Sequence, residues 1–158
     1  MKTSLPQVKQ RSCGDCSACC TVLAVPGVDK GRYVPCQHLR QGNKCCGIYE
    51  SRPEECNAYS CGWKVGIGTS AHRPDRFGVV FSIENTAFGP TLIGLETRPG
   101  RGESPEVVQF ARSIVRGKDV ALIMGGKDWR RVTNVPPGKE RIVAEYVKSL
   151  SNPTQAKE

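Results

Sequence analysis

Nine cysteines, all between Cys13 and Cys61, constrain this chain more than any other feature. None follows in the rest of its 158 residues. Thiols crowded into one segment pair as disulfides, bind metal or react. Disulfide-rich secreted proteins tend to spread their bridges over the whole fold, to have an even cysteine count and to start with a signal peptide. This chain opens Met1-Lys2-Thr3-Ser4-Leu5-Pro6-Gln7, with no apolar h-region, and no later stretch is apolar for long enough to span a membrane. The expected location is a reducing cytoplasm, where clustered thiols usually mean metal.

Spacing narrows the chemistry. Cys13-Gly14-Asp15-Cys16-Ser17-Ala18-Cys19-Cys20 sets three cysteines at steps of three, and Cys36, Cys45-Cys46, Cys56 and Cys61 follow. The turn between two such cysteines points both sulfurs inward, so the pair can chelate one ion. Two consecutive C-x-x-C steps with a remote fourth cysteine match the way a chain wraps a cubane iron–sulfur cluster. Zinc sites more often pair two separated C-x-x-C or C-x-x-H units. No second C-x-x-C occurs downstream. A [4Fe-4S] cluster is therefore favoured, with Cys13, Cys16, Cys19 and Cys20 the cysteines expected to bind it, and zinc, as one or two ions, is the alternative; both suit all-sulfur coordination.

The formal charge of +8 invites a nucleic-acid reading. That charge counts every cysteine as a neutral thiol, whereas ligation removes protons. One four-thiolate site brings +8 to about +6, and two bring it to about +4. The excess is spread along the chain, with no basic run interleaved with aromatics. A solvated, mildly basic surface is the plainer interpretation.

Four segments are expected. Residues 1–12 are polar and loose. Residues 13–64 form a cysteine-rich module, too poor in apolar periodicity to bury much surface, so that ligation organises it. Within it, Ser51-Arg52-Pro53-Glu54 fits a capping box with Ser51 as N-cap. That would place Cys56 near a helix N-terminus, where the dipole favours thiolate. Residues 65–150 are an α+β half packed on the module as one domain, and 151–158 are a frayed tail. In the α+β half, Phe77, Val79, Phe81 and Ile83 alternate as in a strand, 85–90 reads as a turn, and 91–97 as the hairpin partner. Ser104-Pro105-Glu106 opens a helix with Val107, Phe110, Ala111, Ile114 and Val115 on one face, stopping at Gly117. A buried strand over 120–124, a Gly125-Gly126 turn and a helix over 137–150 complete a small antiparallel sheet with two helices. Gly125-Gly126-Lys127 lacks the spacing of a phosphate loop and reads as a turn.

The cysteine segment resembles the CxxCxxCC family of zinc- or iron-chelating proteins (YkgJ-like). The likeness rests on Cys13-x-x-Cys16-x-x-Cys19-Cys20, Pro35-Cys36-x-His38-Leu39, Cys46-x-Ile48-Tyr49-Glu50-x-Arg52-Pro53-x-x-Cys56 and Tyr59-x-Cys61-x-Trp63. It covers residues 13–64. The same pattern resembles the front part of flagellin lysine N-methylases, where the likeness implies an iron–sulfur cluster. No methyl-donor motif follows residue 64, so that activity does not transfer. By position, the resemblance implies Cys13, Cys16, Cys19, Cys20, Cys36, Cys46, Cys56 and Cys61 as ligands and leaves Cys45 outside. Eight cysteines exceed the need of one tetrahedral ion. Two sites, or thiols with a supporting or redox role, remain open.

His38 is expected to support the site rather than ligate, since sulfurs suffice. His72 reads as a loop residue. Arg52 either donates to cluster sulfurs or pairs with Glu54 or Glu55. Tyr49, Tyr59 and Trp63 are expected to shield the site from water. No triad accompanies a cysteine nucleophile, and catalytic residues are unassigned. The sequence thus points to a cysteine-ligated metalloprotein serving electron transfer, redox sensing or a partner protein. The alternatives are a zinc-stabilised module binding protein or nucleic acid, and a metal-dependent enzyme of unknown reaction.

Overall fold

The computed structural model describes residues 11–42, 45–115, 121–125, 128–131, 135 and 137–150. The expected loose residues 1–10, the stop at Gly117, the turn at Gly126 and the tail at 151–158 lie outside them.

The fold is α+β. Strands β1 (Val79–Thr86) and β2 (Gly89–Glu96) form the expected hairpin, pairing from Val79 with Glu96 to Thr86 with Gly89. The turn is tighter than expected. The Thr86 hydroxyl bonds the Gly89 carbonyl at 2.8 Å, and Phe88 is buried against Tyr146, so only two residues link the strands. The sheet also extends beyond a hairpin. Strand β3 (Ala121–Gly125) lies parallel to β2, and β4 (Asp128–Arg131) antiparallel to β3, giving the order β1-β2-β3-β4. Parallel neighbours need a crossover, and the helix Pro105–Val115 supplies it.

Thr91 to Glu96 are buried without a break, because both faces of the sheet are covered. On one face Phe77, Val79, Phe81 and Leu92 pack on Val107, Ala111 and Val115 of the crossover helix, as its apolar stripe predicts. Ser104 caps it, its hydroxyl reaching the Val107 N–H at 3.4 Å. Gly94 admits the Phe81 ring: a Cβ there would lie 2.8 Å from that ring. On the other face Val80 and Leu95 pack on Ala18 and Val22 of a short helix, Ala18–Val22, in the cysteine segment. Beside it, Phe88 and Ile93 meet Val143 of the last helix, Glu140–Leu150.

Three local expectations change. Phe77 ends a helical turn, Pro74–Phe77, rather than starting a strand. Ile83 is 57% exposed, on β1 at the edge of the sheet. The Ser51 capping box does not form: proline at 53 holds Arg52 extended (ψ 146°), and the helix Glu54–Ala58 starts after Pro53.

Candidate metal centre

Each cysteine is held by backbone turns rather than by a long element. Cys13 and Cys16 are joined by a turn whose Cys16 N–H donates to the Cys13 carbonyl at 3.0 Å. Gly14 supplies the left-handed residue of that turn, at φ 56°. Cys19 and Cys20 follow on the first helix. Cys36 is fastened to Cys20, its N–H donating to the Cys20 carbonyl at 2.9 Å. Cys46 bridges to Leu39, Cys56 is the third residue of Glu54–Ala58, and Cys61 follows that helix. Arg11 closes the module: its guanidinium donates to the carbonyls of Trp63, Ile67 and Gly68.

These turns gather all nine thiols around two adjoining cavities. The larger, about 370 Å³, is lined by Cys13, Cys16, Cys19, Cys20, Cys36, Cys45, Cys46 and Cys56. The smaller, about 50 Å³, is lined by Cys13, Cys16, Cys19, Cys56 and Cys61. All nine are half-buried and none is in a disulfide. The segment therefore brings together every thiol that the spacing singles out. Among the described residues, no group of three or more His, Cys, Asp or Glu side chains is already arranged to hold a metal ion. The thiols are assembled but not drawn into a closed shell.

The thiols perturb one another's acidity. The hydrogen bond with Cys20 and burial push Cys19 up, with the charges of Cys20, Cys13 and Cys16 adding to it. The same bond lowers Cys20 to about 7 against its burial, helped by Lys30 and Arg52. Cys56 is raised by burial and then by Cys20, Cys36 and Cys46; the first-turn dipole does not prevail. Burial also raises Cys61, and the Cys13 charge adds to that. Thiolates that repel one another at this range are what a bound cation stabilises, so the donor chemistry fits a metal centre.

Lys30 is a member of the site that the sequence does not mark. It is only 6% exposed, and its ammonium bonds the carbonyls of Leu23 and Gly31. Burial lowers it, while Cys36, Cys20, Cys19 and Cys56 oppose that shift, which sets a positive charge among those thiols. A lysine amid Gly and turn formers has no periodic signature that could have revealed this.

Other residues take definite places. Arg52 lies over the Tyr49 ring at 3.8 Å and donates to the Tyr49 carbonyl at 2.9 Å, and it lines both cavities. Tyr59 also lines both; Trp63 lines the smaller and donates to the Thr69 carbonyl at 2.8 Å. His38 lines the larger cavity, and its carbonyl takes the Gly47 N–H. His72 is more than a loop residue: it stacks on Phe110 at 4.1 Å and its Nδ1 accepts the Thr69 N–H. Arg73 clasps Asp15, inside the first cysteine turn, at 2.8 Å and Asp75 at 2.6 Å.

No protein-family model, curated protein or solved structure matches the chain. Among the described residues no helix is long and apolar enough to cross a membrane.

Proposed function

We propose that the protein is a thiolate-bound metalloprotein whose centre is a [4Fe-4S] cluster, and that it serves electron transfer, redox sensing or a partner protein. The observation that carries this reading is the convergence of all nine thiols on two adjoining cavities, with the Lys30 charge among them. The resemblance to the CxxCxxCC family adds to it on the motif residues alone. Cys13, Cys16 and Cys19 would hold the cluster, with Cys61, which shares the smaller cavity with them, in place of the Cys20 first expected as fourth ligand. Cys20, Cys36, Cys46 and Cys56 then form a further thiol set at the larger cavity. Such a cluster supplies one-electron chemistry. The chain's own contribution is to hold the thiols and to place Lys30 and Arg52 where they offset negative charge. Half-buried cysteines keep the centre near the surface, within reach of a partner.

The test is purification without oxygen, followed by measurement of iron, sulfide, zinc and the visible spectrum. Iron and sulfide with a broad visible absorption are expected, and serine at Cys13, Cys16 or Cys19 should bleach it. A colourless protein with stoichiometric zinc and no sulfide replaces the cluster by the zinc-stabilised module.

A further inference from the structure

The larger cavity reaches past the thiols to a wall outside the cysteine motifs: Ile93 and Leu95 of β2, Trp129 of β4 and Tyr146 of the last helix. Its volume, about 370 Å³, falls among small-molecule pockets, which run from about 300 to 1,000 Å³. Apolar surface dominates the lining, again as in such pockets.

Two polar groups on this lining are unspent. Among the described residues the Trp129 indole N–H and the Tyr59 hydroxyl, both buried, meet no hydrogen-bond partner. An indole N–H can only donate. Leaving one buried donor unpaired costs about 1–3 kcal/mol, so an acceptor that a small shift of the ring brings within reach gains by bonding it. Positive charge is also available. The Arg32 guanidinium stands 5.7 Å from the Trp129 ring centre, and Lys30 and Arg52 line the same space, as do Glu55 and Glu84.

We propose that this cavity binds a small molecule with a planar apolar body and an anionic, hydrogen-bond-accepting end, seated on Trp129 beside the thiols. The aromatic walls of Trp129, Tyr146 and Tyr59 select the flat body, and the unpaired donors with Arg32 select the anion. The selecting residues lie outside the thiols, while the cavity itself is shared with the thiol set of Cys20, Cys36, Cys46 and Cys56.

The probe is 2-naphthoate, titrated calorimetrically into the full-length protein as purified. Saturable one-to-one binding with a dissociation constant of about 1 mM or tighter is expected. Trp129→Phe keeps an aromatic wall without the donor and should weaken binding about five- to tenfold. Ile93→Phe fills the space and should abolish it. The cationic analogue 2-naphthylmethylamine should bind at least about tenfold more weakly. No saturable binding to the folded wild-type protein, equal affinity for the two probes, or binding that both variants leave unchanged overturns the proposal. Metal content and melting temperature, measured on the same samples, separate this outcome from failure of the metal centre and from misfolding.

Discussion

Cys45 and Cys46 are adjacent in the chain but differently employed. Cys45 adopts a left-handed backbone at φ 64°, unusual for a residue other than glycine, and its thiol donates to the Gly14 carbonyl at 3.4 Å. Its backbone carbonyl takes the Arg40 N–H, so the residue is a turn element. Cys46 is bridged to Leu39, and its charge acts on Cys56. The expected outcome follows from that division. Cys45→Ser should leave metal content and spectrum unchanged, whereas Cys46→Ser should lower metal content by the share its site holds. Elemental analysis of both variants checks it; equal losses would return Cys45 to the ligand set. The motif resemblance alone left Cys45 outside the ligand set, as a spectator or an alternative to its neighbour. Lys30 and His72 were not legible. Their roles depend on neighbours far along the chain, Cys56 for one and Phe110 for the other.

At the scale of elements, Arg73 ties the first cysteine turn to the α+β half. Its guanidinium spans Asp15, between Cys13 and Cys16, and Asp75 in the turn Pro74–Phe77. Partial burial works to raise the Asp75 carboxyl, yet the two bonds from Arg73 outweigh it and hold Asp75 below the ordinary carboxylate value. A planar fork makes this geometry, and a lysine cannot reproduce it. Arg73→Ala should therefore destabilise the protein by about 1–2 kcal/mol, with Arg73→Lys recovering less than half. Chemical unfolding of the three proteins tests this; full recovery by lysine would mean that charge alone matters. Periodicity made the crossover helix legible from Val107 to Val115, and the hairpin from its alternation and turn. The parallel pairing of β2 with β3 was not legible, since it joins segments separated by a whole helix and no local pattern encodes it. The Ser51 box shows a local rule overruled by its neighbour: the serine and glutamate fit, but Pro53 fixes Arg52 against the helix.

The molecule as a whole has cores of unequal dependence on the thiols. The cluster of Phe77, Val79, Phe81, Leu92, Val107, Ala111 and Val115 contains no residue of the cysteine segment. Nor does the cluster of Phe88, Ile93 and Val143. Among the described core residues Val80 and Leu95 lean on that segment, through Ala18 and Val22, with Trp129 packed beside them. Burial of apolar surface holds the first two clusters regardless of ligation. The cysteine segment has short helices of five residues each, too short to persist on backbone bonds alone; the Arg11 and Arg73 contacts hold it, and on the function proposed above ligation does so too. Stripping the metal by chelation should therefore unfold the molecule in part. Amide exchange at Ala18–Val22 and Glu54–Ala58 should become fast, while β1, β2 and Pro105–Val115 keep their protection. Residue-resolved hydrogen exchange on the stripped and loaded protein distinguishes the cases. Loss of protection throughout would make the centre the keystone of the whole fold, and unchanged protection would remove it from the energetics of the cysteine segment. Partial loss fits a sheet covered on one face by its own crossover helix, with a metal-ordered module set on the other.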